Sequence, residues 1–522
     1  MNTFAIIQTL SVFDWFTGMQ PTSQILVIIA LAFGFYMAWN IGANDVANAM
    51  GTSVGSGALT LKKAIIVAAI FEFAGAYFVG SSVSNTIRKG IFDPALINEF
   101  YGEDGYLILA IGMIASLLAA GVWLQLASYF GWPVSTTHSI VGAVVGFGCV
   151  ALGPTAINWG ITDFSGVTAI ASSWIISPVL AAAVSYLLFR IILKLIFFQP
   201  NPVKAAKKVA PFLVFITMFV MIAVTSFKGL KAFWKDAAWL ENIQYFSNHK
   251  LGPTHPVALL ITMAFAVITG VIGTVITSFM IRKIEDDPVE STQHFESVYV
   301  KRSVDKARKH LRRISSNTTG TNSSEASDLL MQLETLSSNI EKRSDPELTK
   351  SALQKVERIF VYLQILSACF VAFSHGANDV ANAIGPLSAA VQTLHEGAII
   401  AKSHVPEWAL ILGGVGIVIG LATWGWRVME TIGRRITELT PTRGFTAEFA
   451  AAITILIASL AGMPISTTHT LVGAVLGVGL ARGIGAINLN TIRDIFASWI
   501  ITIPAGACLA ILFFYALKIC FI

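Results

Sequence analysis

Gly42-Ala43-Asn44-Asp45-Val46-Ala47-Asn48-Ala49 decides how this chain is read, because it returns letter for letter at Gly376-Ala377-Asn378-Asp379-Val380-Ala381-Asn382-Ala383. Both copies sit at the end of strongly apolar runs. Each sets one aspartate and two asparagines where hydrocarbon is expected. An acidic side chain at the bilayer centre costs about 2.5–3.5 kcal/mol on insertion scales, so such a residue marks a functional site by default.

The surroundings of the two octapeptides give the class. The 522 residues are 55% hydrophobic and 12% charged, where a soluble chain would be about a quarter charged. Apolar segments lie at about 24–40, 63–82, 106–130, 166–198, 211–227, 256–281, 357–375, 407–426, 445–461 and 494–521. Several exceed the roughly 18 residues that read as a membrane span. They are long and continuous, and lipid admits only helices or closed barrels, so the chain reads as an all-α polytopic membrane protein. A net charge of +5 gives no argument for a nucleic-acid partner. Cys149, Cys369, Cys508 and Cys520 lie in apolar segments without metal-like spacing and read as small buried hydrophobes. Met1 to Gly18 lacks a basic leader region, and Phe4 to Phe16 reads as a short first helix or an interfacial segment.

The repeat extends beyond the octapeptide. Gly131-Trp132-Pro133-Val134-Ser135-Thr136-Thr137-His138 matches Gly462-Met463-Pro464-Ile465-Ser466-Thr467-Thr468-His469. Val141-Gly142-Ala143-Val144 then matches Val472-Gly473-Ala474-Val475. Ala156-Ile157-Asn158 matches Ala486-Ile487-Asn488, and Trp174-Ile175-Ile176 matches Trp499-Ile500-Ile501. The order is the same, so the chain is two homologous halves. Segments 133–152 and 464–481 are Gly-rich and open with Pro, and read as re-entrant hairpins or broken helices. Internal symmetry with broken helices in matching positions points to a secondary transporter with a midplane site. The chain divides into an N-terminal repeat at 1–198, connecting transmembrane helices at 199–281, a polar segment at 282–356, and a C-terminal repeat at 357–522.

The polar segment opens with Glu285-Asp286-Asp287 and continues with Lys301, Arg302, Lys306, Arg308, Lys309, Arg312 and Arg313. That basic run reads as a solvated face or as a surface touching anionic lipid. Ser315 to Ser324 reads as flexible linker. Leu329, Leu333, Leu336 and Ile340 recur at helical spacing. Lys204, Lys207 and Lys208 mark a second basic loop at 199–210, and the positive-inside rule places both in the cytoplasm. The loop around Trp234, Trp239 and Tyr245 then lies outside. The glycosylation triplet at Asn317-Thr318-Thr319 would go unused.

The two motifs carry distinct chemistry. On a helix, Asn48 stands beside both Asn44 and Asp45, gathering one carboxylate and amide oxygens. The glycines would permit unwinding that frees backbone carbonyls. Hard oxygens around one negative charge suit a small cation such as sodium, or a proton on the aspartate. Pro-Val-Ser-Thr-Thr-His reads as a helix start, with Pro tolerated in the first turn and Ser or Thr as N-cap. A helix N-terminus offers free N–H groups and a positive dipole end. Three hydroxyls add donors that follow a tetrahedral oxyanion, so two such termini could wrap phosphate without Arg or Lys. His138 and His469 follow Ser135 and Ser466 by three residues, so a Ser–His nucleophile pair is a competing reading; structural histidines hydrogen-bonding across helices are the other. Glu72 and Glu448 are two further intramembrane acids. Their spacing from the motifs differs, so they are not repeat equivalents.

Together the paired GANDVANA and P-[VI]-S-T-T-H motifs resemble the inorganic phosphate transporter (PiT) family. Gly51-Thr52-Ser53-Val54-Gly55-Ser56-Gly57, Thr86-Ile87-Arg88-Lys89-Gly90 and Gly444-Phe445-Thr446-Ala447-Glu448 resemble its sodium-coupled branch. The resemblance implies about twelve membrane helices in an inverted repeat with two re-entrant helical hairpins. It implies sodium at Asn44, Asp45, Asn48, Asn378, Asp379 and Asn382. It implies phosphate at Ser135, Thr136, Thr137, Ser466, Thr467 and Thr468, with Asp45 and Asp379 beside it, and transport roles for Glu72 and Glu448. The expectation is a sodium:phosphate symporter working by alternating access, with transported sodium and no cofactor or catalytic residue. The resemblance further implies a homodimer in the plasma (cell inner) membrane. The alternatives are a proton-coupled phosphate or sulfate symporter and, from another class, an intramembrane Ser/His hydrolase.

Overall fold

The computed structural model describes residues 16–81, 83–84, 86, 90–160, 165–229, 256–284, 292–317, 321–343, 346–399, 405–426, 428–429, 439–483 and 489–522. Its helices are α1 (Pro21–Gly55), α2 (Leu61–Val79), α3 (Ala95–Tyr101), α4 (Gly105–Tyr129), α5 (Thr136–Leu152), α6 (Gly166–Ile192), α7 (Pro202–Gly229) and α8 (Pro256–Arg282). They continue as α9 (Thr292–Asn317), α10 (Thr321–Arg343), α11 (Pro346–Glu396), α12 (Glu407–Thr423), α13 (Pro441–Leu460), α14 (Thr467–Arg482) and α15 (Leu489–Phe521). Among the described residues the one β pairing is an isolated bridge between Phe92 and Ile157. Residues 4–15 of the expected first helix, the acidic patch 285–287, the aromatic loop residues 234, 239 and 245, and the match at 486–488 lie outside the described residues. So do residues 87–89 of the 86–90 string and residues 318–319 of the triplet.

Among the described residues, eight helical stretches are long and apolar enough to cross a membrane. Four more are apolar but shorter or charge-bearing: α2, α5, α12 and α14. Side chains such as Leu260, Ile268 and Phe279 on α8 are exposed, as a lipid-facing helix requires.

The two halves interlock. α2 packs on α11 of the other half, and α12 packs on α1. Likewise α14 packs on α6, and α15 on α5. Glycine makes the crossings close: a Cβ on Gly42 would lie 1.9 Å from the carbonyl oxygen of Ile417, and one on Gly376 would lie 2.0 Å from that of Glu72. Small residues that admit a neighbouring backbone are the usual basis of helix packing in lipid. α1 and α11 run unbroken through the motifs, which corrects the expectation that these glycines unwind the helix. Their use is contact, not bending.

The hairpins also differ from the expectation. Segments 133–152 and 464–481 do not each fold back on themselves. Each supplies one straight helix, α5 or α14, and the hairpin partner is the preceding helix, α4 or α13. The tips turn on Gly131 (φ 69°) and Gly462 (φ 72°), a left-handed conformation open to glycine at little cost. In the polar segment, the predicted linker is largely helical: α9 runs to Asn317 and α10 resumes at Thr321. α9 and α10 pack on each other, with Arg312 3.4 Å from Glu334. The basic stretch at 204–208 is likewise inside α7, not in a loop. Lys207 Nζ donates to the carbonyl of Ile284 just beyond α8, so the start of α7 and the end of α8 share one side. The four cysteines are free thiols, but none is buried as expected: Cys149 and Cys369 are half-buried and Cys508 and Cys520 exposed, on helices whose outer faces carry apolar side chains of every size.

Candidate functional site

The site forms where both hairpin tips meet both motif helices. Ser135 and Ser466 are the N-caps of α5 and α14, and each Oγ accepts from the backbone N–H of the histidine three residues on, at 3.2 Å. The first N–H groups of α5 and α14 have no intrahelical acceptor. The tips touch reciprocally: Thr137 Oγ1 donates to the carbonyl of Ile465 (2.9 Å), and Thr468 Oγ1 lies 3.2 Å from the carbonyl of Val134. Two helix N-termini, each rimmed by hydroxyls, therefore converge on one buried point.

The motif helices dock onto these tips through their polar side chains. Asn44 Nδ2 donates to Ser128 Oγ (3.0 Å) and the carbonyl of Trp132 (3.2 Å). Asn378 Nδ2 repeats this with Ser459 Oγ (2.9 Å) and Met463 (3.3 Å). Asn48 Nδ2 donates to Asp45 Oδ1 and Thr468 Oγ1, both at 2.8 Å. Asn382 Nδ2 reaches Thr136 Oγ1 (3.2 Å), Thr137 Oγ1 (3.3 Å) and Asp379 Oδ1 (3.5 Å). Thr467 Oγ1 donates to Asp379 Oδ2 at 2.6 Å, and Thr468 Oγ1 lies 3.3 Å from Asp45 Oδ1. All twelve sequence-predicted sodium and phosphate residues are thus buried in one cluster.

The donor set suits a hard cation. With their amide nitrogens engaged, Asn44, Asn48, Asn378 and Asn382 each keep a buried Oδ1 without a hydrogen-bond partner. Four orphaned amide oxygens beside two carboxylates match the all-oxygen preference of such ions. No Lys or Arg is among the buried residues described, so no fixed guanidinium or ammonium group competes for an anion between the tips.

One central residue escapes the repeat. His375 Nε2 lies 2.9 Å from Asp379 Oδ2 and 3.6 Å from Asp45 Oδ2, while Nδ1 lies 3.3 Å from Glu72 Oε1. The signal for it was an intramembrane imidazole directly before Gly376. The two glutamates are placed differently. Glu72 joins the centre through His375, whereas Glu448 accepts from Thr52 Oγ1 (2.5 Å), Ser53 Oγ (2.6 Å), Ser367 Oγ (2.5 Å) and Gln364 Nε2 (3.3 Å). Their inequivalence agrees with the sequence reading.

His138 and His469 do not pair with the serines as bases. Each serine hydroxyl meets a backbone N–H, and both ring nitrogens of His138 lack hydrogen-bond partners. The rings instead pack on aromatic neighbours: His138 lies tilted on Trp174 (centroids 3.8 Å apart) and edge-to-face with His469 (4.4 Å), and His469 stacks on Trp499 (3.4 Å). His469 Nδ1 is 3.3 Å from the carbonyl of Trp174, a cross-helix contact of the expected kind.

Comparison with known proteins agrees with this geometry. The chain is 44% identical over 498 residues to the chloroplastic inorganic phosphate transporter 2-1 of Arabidopsis thaliana, covering 95% of this chain and 73% of that one. It is 42% identical over 501 residues to a protein of Chlamydia pneumoniae assigned as a phosphate permease, covering 95% and 99%. The solved structure of a sodium-dependent phosphate transporter superposes with a TM-score of 0.70 at 34% identity, covering 95% of this chain and 99% of that one. The sequence profile of the phosphate transporter family matches residues 41–510. The chain belongs to the phosphate transporter family.

Proposed function

We propose that this protein imports inorganic phosphate by symport with sodium through alternating access. The observation that carries the reading is the convergence of two hydroxyl-rimmed helix N-termini on two carboxylates and four unpaired amide oxygens. Sodium would bind at Asn44, Asp45 and Asn48 and at Asn378, Asp379 and Asn382, neutralising the aspartates. Phosphate would then sit between Ser135, Thr136 and Thr137 and Ser466, Thr467 and Thr468, with the neutralised Asp45 and Asp379 alongside. Each hydroxyl now bonded to a motif side chain would turn to the anion. The supporting logic is electrostatic: a tip without Lys or Arg favours phosphate only while cations are bound, which couples the two. Separation of the tips on one face and closure on the other would expose the site alternately. Glu72 and Glu448 would serve as coupling acids, Glu72 through His375 and Glu448 through the polar cluster at the end of α1.

We place the protein in the plasma (cell inner) membrane with 282–356 in the cytoplasm, supported by the lysines at the start of α7 and the basic residues of α9. The division into repeats 1–198 and 357–522, connecting helices 199–281 and a homodimeric assembly belong to the same proposal. Proteoliposome uptake of radiolabelled phosphate tests the function. An inward sodium gradient should drive accumulation, and Asp45→Asn or Asp379→Asn should abolish it. Equal drive from a proton gradient alone would contradict sodium coupling and favour the proton-coupled alternative.

A further inference from the structure

The two-fold relation between the halves is broken beside the motif itself. The residue before the motif glycine is His375 in the second half and Ile41 in the first. The carbonyl that meets Gly376 belongs to Glu72, and the one that meets Gly42 belongs to Ile417. The repeat therefore sets the pair His375/Glu72 against the pair Ile41/Ile417, all four fully buried. An apolar pair evidently packs the same space. Replacing a buried ion pair by well-packed apolar residues is often neutral or stabilising, so packing alone gives no reason to keep the polar pair.

The polar pair touches only one of the two carboxylates closely. His375 and Asp379 are four apart on one helix, so the helix itself sets their contact at 2.9 Å. The contact to Asp45 crosses between the halves and is longer, at 3.6 Å. On the far side of the ring Glu72 Oε1 lies 3.3 Å from Nδ1, a close charge contact outside hydrogen-bond geometry. Sodium prefers oxygen ligands, so the imidazole stands beside Asp379 as a competitor for its oxygen and not as a further ligand.

We infer that His375, held by Glu72, is a positioning residue that makes the two cation half-sites unequal and so fixes their order of loading. The first cation binds at Asp45 with Asn44 and Asn48. The second binds at Asp379 with Asn378 and Asn382, and must first displace the imidazole from Oδ2. The inference rests on the sodium reading given above and goes beyond it by ranking the two sites.

Equilibrium binding of radiolabelled sodium to the purified protein tests this ranking. The wild type should bind in two steps whose half-saturating concentrations differ by about tenfold or more, the effect of one contact to a charged group. E72I/H375I installs the apolar pair of the other half and should merge the steps into one. Glu72→Gln keeps an acceptor facing Nδ1 and should retain two. If E72I/H375I does not elute as a monodisperse species, E72Q/H375F keeps both volumes, removes the ring nitrogens and should give the same single step. A single step in the wild type overturns the inference, as do two unequal steps in both double variants. A wild type that binds no sodium would sink the sodium reading itself, so the two failures are distinguishable.

Discussion

Each threonine hydroxyl at the two tips is engaged with a motif helix or with the opposite tip, so its removal has a definite expected cost. Thr467→Val deletes the 2.6 Å donor to Asp379. A hydrogen bond to a charged group contributes about 1.5–3 kcal/mol, so we expect the half-saturating phosphate concentration to rise about tenfold or more. Asn48→Ala removes an orphaned amide oxygen and should raise half-saturating sodium by about tenfold, measured at saturating phosphate. At this scale the sequence was highly legible for what the halves share. The doubled letters named the twelve motif side chains that the fold gathers into one cluster. What only one half has was not legible in the same way. His375 sits beside Gly376, but a comparison that looks for matches passes over a residue whose counterpart is Ile41. Ser128 and Ser459, which position Asn44 and Asn378, were missed because a serine in an apolar helix usually bonds its own backbone.

The helices join the site through close contacts and one polar knot. Gly376→Ala would put a Cβ 2.0 Å from the Glu72 carbonyl oxygen and push α2 away from α11. Overpacking of this kind costs about 1–3 kcal/mol, so the thermal midpoint in detergent should fall. Glu448 ties α1, α11 and α13 together by accepting from three hydroxyls and one amide. Glu448→Ala orphans those donors, at about 1–3 kcal/mol for each buried group left unsatisfied. We expect a marked loss of folded protein on size-exclusion chromatography, and a milder loss for Glu448→Gln. Helix ends and hairpin geometry were the less legible part. The serines marked the N-caps of α5 and α14, whereas Pro133 and Pro464 lie two residues before the caps and not in the first turn as expected. Which helix each packs against depends on the neighbouring backbone, and letters do not carry that. Nor could composition separate a flexible Ser/Thr stretch from the ends of α9 and α10.

Across the whole molecule, two interlocked halves bring both motif helices and both hairpin tips together in one buried polar cluster. The crossing of α2 onto α11 and α12 onto α1 was unreadable beforehand, because lipid-facing and protein-facing surfaces of a membrane helix are both apolar. The two-fold architecture carries a prediction of its own. If the sodium charge exceeds the phosphate charge, each excess charge gains about 2.3 kcal/mol per 100 mV, and uptake should accelerate when the vesicle interior is made negative. The central claim is that cations at the two Asn/Asp motifs create the phosphate site between the hairpin tips. Equilibrium binding of radiolabelled phosphate to the purified protein, in sodium and in choline, tests it most directly. The account predicts binding in sodium, none in choline, and none in D45N/D379N under either condition. Undiminished binding in choline, or in that variant, would contradict it.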